Sequence, residues 1–233
     1  MSPSALNGIK ALFFDAGGTL IHLDAPRICD LLSAELRITA SLEGFQHAQS
    51  IAMQRVAALV AEGAGSTENL KREFYSMLLP RMGVRSDLDT AIDCVLKLAQ
   101  SEMLWRRTET DTARALERLK ERGLRLAVIS NSDGRIESAF HQAGLFDYFD
   151  FFIDSFLVGV EKPDPRIFHI ALDRADVEAC EAVYVGDLYS VDVAGAKAAG
   201  LAPVLYDPFG LNSETDCLKI RAIGDLIDLL GVD

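Results

Sequence analysis

Short apolar runs alternate along the chain with stretches in which apolar positions recur every three or four residues. This alternation predicts an α/β fold built around a parallel sheet. The predicted strands are Ile9–Phe14, Leu124–Ser130, Phe151–Asp154, Ala182–Gly186 and Ala202–Tyr206. Each is apolar almost throughout, as strands covered by helices on both faces are. Helices are predicted at Gly134–Ala143, Pro165–Ala175, Ser190–Ala199 and Ile223–Leu230.

The alternation breaks once. Between the first strand and the second there is no strand pattern, and the segment reads as helices instead. Leu88, Ala91, Ile92, Val95, Leu96, Ala99 and Met103 form an amphipathic stripe. Phe45, Ala48, Ala52, Val56, Leu59 and Val60 form another, Ile28, Leu31, Leu32 and Leu36 a third, and Leu70, Phe74, Met77 and Leu78 a fourth. Gly63–Gly65 and Gly83 punctuate them. Four such helices bury their stripes against one another as a small bundle. The predicted organisation is therefore a core of residues 1–24 and 108–233 carrying a helical insert at residues 25–107.

Composition narrows the class. The chain has 233 residues, of which 49% are hydrophobic and 25% charged, enough apolar side chains for a sizeable core. No apolar run approaches the ~18 residues that cross a bilayer, and Met1–Gly8 lacks the layout of a signal peptide. A cytoplasmic protein with no membrane partner is expected. The net charge of −12 disfavours a nucleic-acid partner, because a polyanion is repelled at long range. Cys29, Cys94, Cys180 and Cys217 have no metal-ligand spacing and read as free thiols.

In open α/β sheets ligands bind beyond the carboxyl ends of the strands, so the polar residues after each strand carry the candidate chemistry. Strand one runs into Asp15-Ala16-Gly17-Gly18-Thr19. An acid in that place is either a cap or turn residue or a functional carboxylate. Strand two ends in Ser130-Asn131-Ser132-Asp133, where Ser130 either caps the next helix or gives its hydroxyl to an anion. In Glu161-Lys162-Pro163-Asp164-Pro165, a helix start explains Asp164 and Pro165 but leaves Lys162 unexplained. Strand four is followed by Asp187 and Asp192, a short acidic loop or a pair able to hold a hard cation.

The order Asp, Ser, Lys, Asp/Asp after the strands of a Rossmann-like sheet resembles the haloacid dehalogenase-like hydrolase superfamily, from about Ile9 to Pro203. VISNSDGR, GVEKPDPRIF and VGDLYSVDVAGAKAAG are similar to the branch that includes rhythmically-expressed-gene-2-like proteins. The resemblance implies a sheet in the order 5-4-1-2-3 with a helical cap inserted after strand one. It implies a Mg²⁺-dependent hydrolase of a small phosphorylated metabolite. Asp15 would attack phosphorus to form an aspartyl-phosphate. Ser130 and Lys162 would hold phosphoryl oxygens, with Thr19 and Asn131 in the same substrate-binding set. Asp15, Asp187 and the Gly17 carbonyl would bind Mg²⁺, supported by Asp192. The −12 charge is then answered locally by Mg²⁺ and Lys162.

The pattern departs from the family in one place. Its phosphatases place a second Asp two residues after the nucleophile, as general acid and base, and here that residue is Gly17. Losing such a group costs about 10²–10⁴ in rate. Asp133 or His22 could replace it, or the substrate could carry a good leaving group. The chemistry could instead be metal-independent 2-haloacid dehalogenation, since dehalogenases of the superfamily also lack that Asp. A non-catalytic binding protein on the same scaffold is a further alternative. Phosphonate cleavage would need a Schiff-base lysine from the cap, for which Lys71 and Lys97 are the candidates. Arg27 lies near the expected hinge of the cap.

Overall fold

A strand that is apolar on both faces must be covered on both, and β1 (Ala11–Phe14) is buried at every position. In the computed structural model, which describes residues 8–62, 67–213 and 215–231, β1 lies inside a six-stranded sheet. The other strands are β4 (Arg125–Ser130), β5 (Phe151–Asp154), β6 (Ala182–Gly186), β7 (Ala202–Tyr206) and β8 (Leu218–Ile220). Their order is β5-β4-β1-β6-β7-β8, and every neighbouring pair is parallel. Taken from β7 to β5, the five strands visible in the sequence pattern run 5-4-1-2-3. β8 is an addition at the edge; three residues of mixed burial leave no apolar run to detect. The chain leaves β1 first for β4 and β5 and later for β6 and β7, so the order reverses at β1. A ligand site is expected at the carboxyl ends around that point.

The chain divides into two compact units, residues 1–21 with 108–233, and residues 22–107. In the first, helix α8 (Pro165–Ala175) covers one face of the sheet. Ile167, Phe168 and Ala171 pack with Phe13, Ala127, Ile153 and Tyr184 in one apolar cluster. Asp164 caps this helix by accepting from Arg166 N at 2.9 Å, and Pro165 opens it. Helix α5 (Thr112–Glu121), not anticipated from the pattern, buries Ala115, Leu116 and Leu119. The remaining helices of this unit are α6 (Ile136–Ala143), α7 (Ser155–Val158), α9 (Ala194–Ala198) and α10 (Asp225–Leu229). The helix expected over Ser190–Ala199 is divided: Tyr189–Val193 is a π-helical turn, and only Ala194–Ala198 is α-helical.

The second unit holds α1 (Ala25–Leu36), α2 (Phe45–Ala61), α3 (Thr67–Arg81) and α4 (Leu88–Ser101). Their shared core includes Ile28, Leu32, Ala48, Ala52, Phe74, Leu78, Ile92 and Val95. Val60 departs from its stripe and is 46% exposed, at the end of α2. The segment also contains strands. β2 (His22–Leu23) and β3 (Trp105–Arg107) pair antiparallel at its two ends, too short to show a period of two. Most of Met1–Gly8 and the break at Gly63–Gly65 lie outside the described residues. Among the described residues no helix is long and apolar enough to cross a membrane.

Candidate active site

β1 and β6 are neighbours in register, with Phe14 opposite Val185, so the residues that follow them reach the same rim of the sheet. Asp15 N donates to Val185 O at 2.8 Å, which fixes the first residue past β1 against β6. The chain then turns back: Leu20 N and Ile21 N both donate to Ala16 O, each at 2.9 Å. Thr19 lies inside this turn, 1% exposed, and its hydroxyl donates to Asp15 Oδ2 at 3.2 Å and approaches Asp187 Oδ1 at 3.5 Å. Asp15, Asp187 and Asp192 each bring a carboxylate oxygen within 4.8 Å of the others, and all three are buried.

Two glycines make this convergence possible. Gly18 has φ +96°, and a Cβ there would stand 2.5 Å from Asp187 Oδ2. A Cβ on Gly186 would stand 2.4 Å from Asp192 Cγ. Gly18→Ala therefore carries both a backbone cost of about 1–2 kcal/mol and a displaced Asp187. Its expected effect is a lower melting temperature and, if Asp187 holds a divalent cation, binding of that cation weakened about 10–100-fold. Thermal denaturation and a Mn²⁺ binding titration measure the two.

Lys162 supplies the positive charge. Its Nζ donates to Asp15 Oδ1 at 2.6 Å, Tyr184 Oη at 2.7 Å and Asp192 Oδ1 at 2.8 Å. Burial alone would lower its pKa, but the Asp15 and Asp192 carboxylates outweigh burial and hold it above the usual lysine range. Burial pushes Asp15 up from 3.8 to about 6, against the opposing pull of Lys162. Asp187 has no such close ammonium, and burial together with Asp15 and Asp192 raises it well above the ordinary carboxylate value. Three buried carboxylates thus share one ammonium, and the site is short of positive charge.

A divalent cation fits that deficit, and the donors suit Mg²⁺, which prefers oxygen ligands and keeps several waters. Asp15 and Asp187 are the carboxylates available to hold it, with the Gly17 carbonyl in the adjacent turn. Asp192 is otherwise engaged. Its Oδ1 takes Lys162 Nζ and the Tyr184 hydroxyl, and its Oδ2 takes Leu188 N at 2.9 Å. It therefore acts on the site through Lys162 and the loop that follows β6.

Ser130 ends β4 and is 5% exposed. Asn131 grips the backbone of Lys162 on both sides. Its Nδ2 donates to Lys162 O at 2.9 Å and its Oδ1 accepts from Lys162 N at 2.8 Å. That clamp joins the segment after β4 to the lysine segment. Asp154, the last residue of β5, is 2% exposed and accepts from Gly134 N, Ile136 N and Phe156 N. Ser155 Oγ accepts from Ser132 N at 3.1 Å and approaches Ser132 O at 3.3 Å. Asp154 and Ser155 shape the segment next to Ser130 and were not among the sequence candidates. An acid closing an apolar strand, the same signal that marked Asp15, was present in the sequence.

The proposed substitutes for the missing acid fare differently. Asp133 pairs with the Arg135 guanidinium at 2.7 Å and is half exposed. His22 belongs to the helical unit. Burial pushes its pKa down to about 4, so it is neutral at pH 7 and is not the imidazolium that would serve as the acid. Its Nδ1 faces Gln49 Nε2 at 3.2 Å; Gln49 Oε1 is taken by Leu23 N at 3.1 Å, so the amide donates to the ring. Lys71 and Lys97 are both exposed on their helices, and Arg27 forms a two-point ion pair with Glu102 at 2.6 and 3.0 Å.

A haloacid dehalogenase-like hydrolase family model matches residues 9–200. The chain belongs to the haloacid dehalogenase-like hydrolase family. Haloacid dehalogenase-like hydrolase domain-containing protein 3 of Mus musculus is 49% identical over 86 residues, 37% of this chain and 34% of its own length. Ribulose-1,5-bisphosphate 5-phosphatase of Halopiger xanaduensis is 36% identical over 132 residues, 52% of this chain and 55% of its own length. The match thus spans about a third to about half of these curated relatives. Among solved structures, a HAD phosphatase from Thermococcus onnurineus is 25% identical with a TM-score of 0.61, covering 97% of this chain and 99% of that one. Solved 2-haloacid dehalogenases share the fold as well. The protein is thus a HAD-like hydrolase with phosphatases among its relatives, and fold alone does not choose between the two chemistries.

Proposed function

We propose that the α/β unit hydrolyses a small phosphorylated metabolite, with Mg²⁺, through a phosphorylated Asp15. The observation that carries this reading is the convergence of Asp15, Asp187 and Asp192 within 4.8 Å, with the Lys162 ammonium paired to Asp15 and Asp192 but not to Asp187. Dehalogenation needs no such excess of carboxylates; a metal-assisted attack on phosphate does. One relative is named for ribulose 1,5-bisphosphate, and a phosphorylated metabolite of that size is the proposed class. In this reading residues 22–107 select the substrate.

An Asp15 carboxylate oxygen attacks phosphorus, and the bond to the leaving oxygen breaks with its electron pair going to the leaving group. Water then attacks the phosphorus of the aspartyl-phosphate, which restores the carboxylate and releases inorganic phosphate. Asp15, Asp187 and the Gly17 carbonyl would hold Mg²⁺, which would supply the charge that offsets repulsion between two anions and stabilises the transition state. Lys162 reaches the phosphoryl group by sharing the N–H it gives to Asp15. Ser130 and Thr19 offer hydroxyl donors at the same rim.

Gly17 has no side chain to protonate a leaving alkoxide. Aryl and acyl phosphates, whose leaving groups need little protonation, are expected to turn over about 10²–10⁴ times faster than alkyl phosphates. A panel of phosphate esters assayed with Mg²⁺ and with EDTA tests the reading: phosphate release from activated esters should vanish with EDTA. Metal-independent turnover would remove the basis of the proposal. Gly17 also favours the dehalogenase reading, as does the likeness to a 2-haloacid dehalogenase, and halide release from 2-haloacids under EDTA would establish it.

A further inference from the structure

Tyr184 was not among the residues that the sequence pattern marked. It lies in the middle of β6, has no exposed surface, and belongs to the apolar cluster between sheet and helix α8. A hydroxyl in such a cluster is costly unless it is bonded. Here it is bonded in a closed triangle. Lys162 Nζ donates to Tyr184 Oη at 2.7 Å, the Tyr184 hydroxyl donates to Asp192 Oδ1 at 3.0 Å, and Lys162 Nζ donates to the same oxygen at 2.8 Å. Ile129 O, 3.3 Å away, is a second acceptor for the hydroxyl.

An ammonium has three N–H groups, and the third goes to Asp15 Oδ1 at 2.6 Å. Lys162 is therefore saturated, and two of its three bonds hold it from the core side. A lysine side chain is rich in rotamers; here that freedom is removed before any substrate arrives. The tyrosine ring is itself wedged. It meets Phe168 edge to face, with centroids 4.9 Å apart and an interplanar angle of 79°. Phe168 in turn lies where a Cβ on Gly195 would stand 2.7 Å from its ring, so only glycine admits it. A chain of contacts runs from Gly195 to Phe168 to Tyr184 to Lys162 and ends on Asp15.

We propose that Tyr184 is a positioning residue that pins the Lys162 ammonium against Asp15 and thereby sets the rate of phosphoryl transfer. This rests on Asp15 being the nucleophile. Tyr184→Phe removes one oxygen and leaves Asp15, Lys162, Asp187 and Asp192 in place. Losing one hydrogen bond to a charged group is expected to lower kcat for p-nitrophenyl phosphate by about 10–100-fold. KM and the Mg²⁺ half-saturation should stay within about twofold, because neither depends on this bond.

A second readout needs neither turnover nor metal. In the metal-free protein, the Lys162 ammonium should give a slowly exchanging ¹⁵N–¹H signal, identified by its loss in Lys162→Met. Tyr184→Phe should abolish or strongly broaden it. If that signal is unaltered, or if kcat is unchanged, the proposal is overturned; equal loss of kcat and gain in KM also overturns it. If the wild-type protein hydrolyses no phosphate ester yet its signal depends on Tyr184, the functional reading fails while the pinning of Lys162 stands.

Discussion

Asp15→Asn is expected to abolish phosphate release, lowering kcat by about 10⁴-fold or more, the scale seen when an enzyme loses its nucleophile. Asparagine keeps the size; its oxygen can accept from Lys162 while its amide N–H donates to the Thr19 hydroxyl, which can accept as well as donate, so both retain a partner and the fold should persist. What disappears is the anionic oxygen that forms the covalent bond. Circular dichroism should match the wild type, and mass spectrometry of acid-quenched reactions should find no phosphorylated chain in the variant. Residual turnover within about tenfold of the wild type would place the nucleophile elsewhere.

Asp187→Asn is expected to remove activity at all practical Mg²⁺ concentrations and, in the absence of metal, to make the protein more stable. Asp187 is buried beside Asp15 and Asp192 without an ammonium of its own, and its carboxyl is held well above the ordinary value by burial and those two neighbours. Asparagine removes the cost that the metal-free protein bears near neutral pH, of either charging this carboxyl beside its neighbours or taking up a proton to neutralise it. Each kcal/mol so relieved raises the melting temperature by about 2–4 °C in a chain of this size. Mg²⁺ should stabilise the wild type and leave the variant nearly unmoved. An active site that weakens its own metal-free fold is the expected signature of carboxylates gathered for a cation.

The same argument fixes the sign of a pH effect. Asp15 is raised in the folded state from 3.8 to about 6, so between those values the folded protein holds more proton than the unfolded one. Stability contributed by this site is present below about pH 4 and is lost as pH rises through about 6, roughly 3 kcal/mol for a shift of this size. Asp187 shifts in the same direction. Urea denaturation in EDTA and in Mg²⁺ should therefore diverge as pH rises from 5 to 8, with the Mg²⁺ samples the more stable.

The strands were legible because each is a run of apolar residues bounded by polar ones, and the helical unit because its stripes recur at three and four. β2, β3 and β8 were not, since two or three residues cannot display a period. The π-helical turn at Tyr189–Val193 was hidden because its composition suits an α-helix; it is marked by the backbone bond from Ala194 N to Tyr189 O, which no local pattern announces. Asp15, Lys162, Asp187 and Asp192 could be picked out as polar residues following apolar strands, or, for Lys162, as one that a helix start leaves unexplained. Asn131 was picked for the substrate, and the pattern did not show that its amide also clamps the backbone of Lys162. Tyr184 looked like any core aromatic, because a hydroxyl's partners are set by tertiary packing that no local pattern encodes.

The claim on which the rest depends is that Asp15 and Asp187 jointly hold one divalent ion. Mn²⁺ binding followed by electron paramagnetic resonance measures this directly in the wild type and in the two asparagine variants. One ion per chain is expected, with affinity falling at least about tenfold when either carboxylate is replaced. Unchanged affinity in either variant would contradict the shared ion and the mechanism built on it.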